Sequence, residues 1–333
     1  MTDRVRMAYV GCGAISGMHT YGIESSGAAI DVVACVDPDP VRAAATAGPL
    51  GAAVHGSLAE AIGAGGIDAV DIMVPHRFTE ALVGEAFDAG LHVLLEKPMA
   101  PTLEACDRIL ARWAGTDRVF MVAENAQYWP EVLTARRLIS GGVIGEVVTA
   151  RASFLIPPLD SFYAAGAWRF DTDIATGGIT VDTGSHWIRP LRMLLGEVEA
   201  VVGVTGRPFA AMAGESLVRG LLRFDSGVVA AIEGLLTSAP LGPEPLFRIT
   251  GSAGEIHIDA AGRCLVFDGT ERRGRQEGEA AGYLESYGGE FVDFAAAVLD
   301  GVTPAAGPEQ SVRELAVAFA LYRSVESGRW EQP

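Results

Sequence analysis

The stretch RMAYVGCGAIS, residues 6–16, decides the fold. Its first half is a short apolar run of strand length, and glycines stop it abruptly. The residues that follow, AISGMHTYGIESSG, read as a helix that ends at Gly27. Gly11 and Gly13 therefore sit where a buried strand turns into a helix. In such a turn the first glycine makes the bend and the second lets a pyrophosphate approach the backbone. The opening residues of the helix, Ala14 and Ile15, supply free amides and a partial positive charge. The usual third glycine is Ser16, a side chain small enough to keep helix and strand close. A glycine motif of this kind is weak evidence alone and strong evidence in this context.

Working outward, a second strand, IDVVACVD, ends on Asp37. A carboxylate at that point accepts hydrogen bonds from the adenosine ribose hydroxyls and repels a 2′-phosphate, which favours NAD over NADP. Arg42 lies close behind and softens the preference. Further apolar strands, AVDIMVP, HVLLEKP and VFMVAEN, alternate with amphipathic helices. This grammar predicts a doubly wound parallel sheet of Rossmann type over residues 1–124. Beyond it the pattern changes to longer strand candidates joined by turns, including the hairpin SLVRGLLRFDSGVVAAIEGLLT. Residues 125–333 are expected to form an α+β domain with a large, mostly antiparallel open sheet, closed by two helices. The polar stretch GTERRGRQEGEAAGY reads as a mobile surface loop.

The bulk composition narrows the partners. The chain has 333 residues, about half of them hydrophobic, and a formal charge of −17. That charge opposes nucleic acid and anionic membranes as partners. The four cysteines have neither metal-finger nor redox-pair spacing, so reduced thiols and no metal are expected. No signal-peptide pattern and no spanning apolar run is read, which points to the cytoplasm.

HVLLEKPMA, residues 92–100, holds the single lysine of the chain, and every other basic residue is arginine. Arginine is a wide fork that stays protonated; lysine is a compact donor with a movable pKa. A lysine retained at a strand's carboxyl end marks a site that rejects arginine. A second constellation is GGITVDTGSHWIRPLRMLL, residues 177–195. Asp182 and His186 are spaced to share one face of a helix. Histidine is the side chain suited to take a proton near neutrality, and two glycines before the pair allow some group a close approach. A helix cap followed by an ordinary buried histidine is the plainer alternative.

With GCGAIS, the EKP of residues 96–98 and GGITVDTGSH in place, the chain resembles the Gfo/Idh/MocA family of glucose-fructose oxidoreductase, inositol dehydrogenase and their relatives. The closing segments EFVDFAAAVLDG and SVESG carry the same likeness. The resemblance implies that Lys97, Asp182 and His186 meet at the nicotinamide. His186 would act as general acid/base and Lys97 would hold and polarise the substrate oxygen. It implies further that Pro75, His76, Glu96 and Asn125 line the cofactor. Arg169 lies in a segment near cofactor and substrate. Trp129, Tyr163, Trp168 and Trp187 cluster around the implied cleft, and some of them are expected to meet a sugar face. Family members often associate through the second-domain sheet, so a dimer or tetramer is expected.

The chain departs from the family pattern at Thr79, often histidine, and at Arg189, often aspartate. Arg189 is read either as a bidentate partner for a substrate carboxylate or as part of a salt bridge on the helix back. Pro190 is expected to kink the helix beyond His186. The activity implied is hydride transfer between a secondary alcohol of a sugar, cyclitol or related polyol and NAD. Glycoside cleavage by transient oxidation and a non-catalytic nucleotide sensor are the alternatives.

Overall fold

The computed structural model describes residues 4–163, 167–239, 241–242 and 245–333. Two compact units divide the chain. The first holds the described residues up to Asn125 together with Tyr287–Val312; the second holds Ala126–Ser286 and Arg313–Pro333.

The first unit is built on six strands: β1 (Val5–Val10), β2 (Ile30–Val36), β3 (Ala53–His55), β4 (Ala69–Ile72), β5 (His92–Glu96) and β6 (Phe120–Ala123). Their order in the sheet is β3-β2-β1-β4-β5-β6, and every pairing is parallel. The connections carry α1 (Ala14–Ser26), α2 (Pro40–Leu50), α3 (Leu58–Ala64), α4 (Thr79–Asp88) and α5 (Leu103–Trp113). Strands β1, β4 and β6 are buried along almost their whole length, because helices cover both faces of a parallel sheet. The strand order reverses between β1 and β4. The carboxyl ends on either side of that point form the crevice where such sheets take ligands. β3 and α3 have no counterpart in the reading of the sequence. β3 is three residues long and half-exposed at the sheet edge, so it carries no apolar run.

The second unit opens with α6 (Pro130–Ser140) and β7 (Val147–Ile156), then two single-turn helices, α7 (Asp160–Tyr163) and α8 (Thr172–Ala175). α9 (Ile179–Asp182) and α10 (Ser185–Leu195) follow. The remaining strands are β8 (Val198–Gly206), β9 (Leu217–Phe224), β10 (Val229–Leu236), β11 (Phe247–Gly251), β12 (Glu255–Ile258), β13 (Cys264–Phe267) and β14 (Arg275–Glu277). They form an eight-stranded sheet in the order β14-β13-β12-β11-β7-β10-β9-β8. Only β7 and β10 run parallel in it. The β9–β10 hairpin turns at Gly227, whose φ of 83° suits the expected Asp-Ser-Gly turn. The polar stretch expected to be a loop contains β14, which pairs with β13. Its residues alternate charged and polar groups around an edge strand, where water covers the outer side and no apolar pattern is needed.

Burial alternates along β10, with every second residue in the core. Trp187, Ile188 and Leu191 of α10 and Val132 and Ala135 of α6 pack on that face. α12 (Pro308–Ser327), which follows α11 (Glu285–Asp300) in the chain, adds Val317, Ala320 and Leu321. On other strand positions Val148, Val204 and Leu221 are exposed, so part of the sheet is left without a helical cover.

The division at residue 124 is corrected at the C-terminal end. Tyr287–Val312, most of α11 and the start of α12, clusters with the first unit. The cause is side-chain packing: Tyr287 and Phe291 stack against the His19 ring of α1, and the backbones come so close that a Cβ on Gly22 would meet Tyr287 at 2.8 Å. The carbonyl of Ala306 also accepts from the amide of Val122 on the outer strand β6.

Candidate active site

At the β1–α1 turn, Gly11 has a φ of 99°, and a Cβ there would lie 2.3 Å from the carbonyl oxygen of Met73. Only glycine fits, since the positive φ and the close pass of the β4 end act together. Gly13 is the N-cap of α1, and no side chain caps the helix. A Cβ on Gly13 would meet no atom within 4 Å, so space lies open in front of the helix end. The first amides of α1, at Ala14 and Ile15, have no intrahelical acceptors. Asp37 is buried at the end of β2. Its Oδ2 accepts from the amide of Cys12 at 3.0 Å and its Oδ1 from the amide of Asp39 at 2.8 Å. The carboxylate thus braces the glycine turn and keeps lone pairs for a diol. Open space before uncapped helix amides, beside a fixed carboxylate, fits the pyrophosphate and ribose of a dinucleotide.

Asp37→Ala is expected to weaken NAD binding about tenfold or more, since charged hydrogen bonds are lost and the Cys12 amide loses its acceptor. Titration by NADH fluorescence measures it, with Asp37→Asn separating the charge from the brace. Wild-type affinity in both variants would remove Asp37 from the site.

Lys97 follows β5 directly and is half-buried. Pro75 and His76 follow β4, and Asn125 follows β6, so the residues expected at the cofactor stand at the carboxyl ends of neighbouring strands. His76 and Asn125 are buried. Thr79 opens α4, and its hydroxyl donates to the His76 carbonyl at 2.9 Å.

Beneath this edge lies a cluster the sequence reading missed. His19 on α1 is fully buried. Its Nδ1 lies 2.7 Å from Asp71 Oδ2 on β4, and its Nε2 lies 3.0 Å from Glu96 Oε1 on β5. Burial alone would lower the His19 pKa, but the two carboxylates outweigh it and hold the imidazole well above its ordinary value. Glu290 on α11 is also fully buried, and neither of its oxygens has a hydrogen-bond partner. Burial pushes its carboxyl well above the usual range. His19 pulls it back, while Glu96, Asp71 and Glu124 add to the rise. Among the described residues no group of three or more His, Cys, Asp or Glu is arranged to hold a metal ion. A signal was present in the sequence: an aspartate in the middle of the apolar run AVDIMV needs a buried partner.

Because Glu290 has a folded pKa above its unfolded value, protonation favours the fold. That contribution is complete below the unfolded pKa, about 4.3 for glutamate, and is lost as pH rises through the folded one. Glu290→Gln keeps the shape without the titration. It is expected to melt with the wild type in acid and at a higher temperature than the wild type at alkaline pH. Thermal melts across that range check it; parallel curves would refute it.

In the second unit the loop before α9 is held by residues far along the chain. A Cβ on Gly178 would lie 2.0 Å from the carbonyl oxygen of Glu215. The Glu215 carboxylate accepts from the amides of Gly178 at 3.1 Å and Thr180 at 2.9 Å, and from the Tyr322 hydroxyl at 2.8 Å. The group that the paired glycines admit is thus the protein's own Glu215.

Asp182 ends α9, and His186 lies in the first turn of α10, with Thr183 and Gly184 between the helices. The expected single helix is therefore two. The break is at Gly184, where a Cβ would lie 2.0 Å from the Thr180 carbonyl oxygen. Both side chains are buried. Asp182 Oδ2 accepts from Arg169 Nε at 3.0 Å and from the Tyr163 hydroxyl at 3.5 Å. Arg169 lies over the Trp168 ring at 4.3 Å, a cation–π contact that fixes the guanidinium. His186 Nε2 is 3.5 Å from the Tyr283 hydroxyl. α10 runs on through Pro190 to Leu195.

Two of the four aromatics pack in the core. Trp129 is 2% exposed and packs edge-on against Phe247 and Tyr283 within the core, and Trp187 is buried in the same core. Aromatic bulk serves a core as readily as a sugar face, and spacing does not separate the two uses. Arg189 is 1% exposed. It forms a buried ion pair with Glu314 on α12 and donates to Gln127 Oε1 at 2.9 Å; Arg192 joins Glu314 at 3.3 Å. Of its two readings the structure supports the salt bridge, because the guanidinium is engaged by a buried carboxylate.

Comparison with known proteins identifies the family of the chain. The model of the oxidoreductase family with an NAD-binding Rossmann fold matches residues 5–124, and the GFO/IDH/MocA C-terminal domain matches residues 132–257. D-xylose 1-dehydrogenase (NADP(+)) 2 of Haloferax volcanii is 28% identical over 90% of this chain and 90% of that one. D-apiose dehydrogenase of Paraburkholderia graminis is 27% identical over 98% of this chain and 89% of that one. The crystal structure of an oxidoreductase from Thermotoga maritima shares the fold, with a TM-score of 0.88 at 24% identity over 99% of this chain and 98% of that one. An NAD-binding Rossmann sheet followed by this C-terminal domain defines a class, the NAD(P)-dependent oxidoreductases of the dehydrogenase type. The chain belongs to the Gfo/Idh/MocA family.

Proposed function

We propose that the protein is an NAD-dependent dehydrogenase that oxidises a secondary alcohol of a sugar, cyclitol or related polyol, sugar acids included, and runs the reverse reduction when the carbonyl is supplied. A nicotinamide held by the first unit would supply the hydride acceptor. His186 takes the hydroxyl proton, and Lys97 donates to the substrate oxygen and stabilises the negative charge that develops on it. Asp182 orients the substrate hydroxyl or the base, and its fixed pairing with Arg169 keeps the carboxylate in place. Pro75, His76, Glu96 and Asn125 line the cofactor; Trp168, Arg169 and Tyr163 serve the substrate side.

The observation that carries this reading is Lys97, the chain's one lysine, half-buried directly after β5 in a sheet of the NAD-binding family. The names of the relatives, dehydrogenases of D-xylose and D-apiose, support the substrate class. Asp37 supports NAD over NADP. Arg42 is drawn toward the carboxylates of both Asp39 and Asp37, at 3.2 and 3.5 Å, and so offers a 2′-phosphate little uncompensated charge.

The first unit is read as the cofactor domain and the second as the substrate domain. The uncovered part of the eight-stranded sheet, with Val148, Val204 and Leu221 exposed, is read as the face of a homo-oligomer. Mass in solution checks it. No helix among the described residues is long and apolar enough to cross a membrane, and a cytoplasmic setting is our reading of the cysteine spacing.

The test is a screen of D-xylose, D-apiose, myo-inositol and sugar acids with NAD⁺ and NADP⁺ in parallel, with product and NADH both counted. One NADH per product supports the dehydrogenase. Product without net NADH supports transient oxidation, and cofactor binding without turnover supports a sensor.

A further inference from the structure

We infer that His19 is a positioning residue for the reaction, acting on Lys97 through Glu96. The inference deepens the proposed function and rests on its reading of Lys97.

The geometry fixes the chemistry first. Each ring nitrogen of His19 faces a carboxylate oxygen, Asp71 Oδ2 at 2.7 Å and Glu96 Oε1 at 3.0 Å. A neutral imidazole donates from one nitrogen only, so with both carboxyls ionised the two contacts are hydrogen bonds only when the ring is an imidazolium; burial raises the Asp71 carboxyl and His19 pulls it back toward the charged form. The ring is shut away from water, and Tyr287 and Phe291 pack against it at centroid distances of 5.7 and 5.2 Å. A buried cation bridging two carboxylates is a rigid strut, because removing either partner leaves an uncompensated charge in the interior.

The strut joins three elements. His19 sits one turn after Ser16 on the helix that starts at the glycine turn, Asp71 lies within β4, and Glu96 is the last residue of β5. Lys97 is the next residue. Glu96 is held twice, by its backbone pairing with Ala123 and by its side chain on His19. The chain therefore leaves the sheet toward Lys97 from a fixed point. The same helix carries the Gly13–Ile15 amides, so a single strut ties the dinucleotide turn to the lysine.

The titratable groups facing the imidazolium are Asp71 from β4, Glu96 from β5, and Glu290 and Tyr287 from α11, and Glu124, just beyond β6, acts on Glu290. They are acids, apart from the tyrosine. Burial biases the Glu290 carboxyl toward its neutral form, which weights the negative charge of the cluster toward the carboxylates that His19 bridges.

The single lysine gives this a direct readout. Protein grown with [6-13C]lysine yields one side-chain resonance, that of Lys97, whose titration midpoint is read from its chemical shift in the NAD⁺-saturated protein. Removing the imidazolium in His19→Gln leaves Lys97 facing more negative charge, so its midpoint rises. Removing the carboxylate in Glu96→Gln takes away a stabilising charge, so its midpoint falls. Each shift is expected to be about half a pH unit or more. Opposite shifts support the assignment. A merely structural loss moves the resonance alike in both variants, and that result, or an unmoved resonance, overturns it. If His19→Gln does not fold, Glu96→Gln decides alone: it keeps the side-chain shape, and an unmoved Lys97 midpoint there refutes the link. The readout does not depend on turnover. A failed link is therefore distinguishable from a failed reading of Lys97, which shows as full activity in Lys97→Arg.

Discussion

Lys97→Arg is expected to fold, bind NAD with nearly wild-type affinity, and lose turnover by about a hundredfold or more. The loss follows from the shape of the donor. A substrate oxygen that gains negative charge in the transition state is best met by a compact ammonium whose hydrogens can be aimed at one point. A guanidinium spreads its charge over a plane and presents a fork matched to two acceptors, so it crowds the reacting carbon and misplaces the bond. This chain uses arginine at every other basic position, which makes the substitution the mildest change available in its own chemical vocabulary. Steady-state rates on whichever polyol the screen returns, beside NADH binding on the same preparation, separate the two effects. An active Lys97→Arg enzyme would leave the lone lysine without a reason.

His186→Ala is expected to cost turnover by a similar factor, about two to four orders of magnitude, which is the usual contribution of a general acid/base. The side chain lies in the first turn of α10 and is buried, with the Tyr283 hydroxyl 3.5 Å from Nε2 and the Phe154 ring beside it. A truncation there deletes the proposed proton acceptor and leaves the Asp182–Arg169 pair standing on other elements. Cofactor affinity should therefore hold, since the glycine turn and Asp37 belong to the first unit. Single-turnover formation of NADH, followed by absorbance, reads the chemical step apart from product release. Wild-type rates in that assay would hand the proton to another group and dissolve the assignment of the second constellation.

Much of the first unit was legible from residues alone. The strand–glycine–helix order around Gly11 and Gly13, Asp37 at the end of β2, and Lys97 at the end of β5 are local statements. Each depends on a few consecutive residues whose backbone geometry their own side chains dictate. The hairpin at Gly227 was legible for the same reason. β3 and β14 were not: both are three-residue edge strands whose pairing comes from a neighbour. Asp182 and His186 were singled out by type and spacing, yet the helix assumed for them breaks at Gly184. That break depends on a carbonyl four residues back and on Glu215 holding the preceding loop from another strand connection.

The sequence by itself determined the parallel nucleotide-binding sheet, its phosphate turn and the residue types available for acid/base work, because these are written in short-range pattern. Tertiary structure alone decided which groups those residues face. It turned Arg189 toward Glu314, sank Trp129 into a core, returned Tyr287–Val312 to the first unit, and gathered His19, Asp71, Glu96 and Glu290 into one buried cluster. Partners so distant along the chain leave no local periodicity. Only burial, which strips water from charge and forces each ionised group to find another, brings them together.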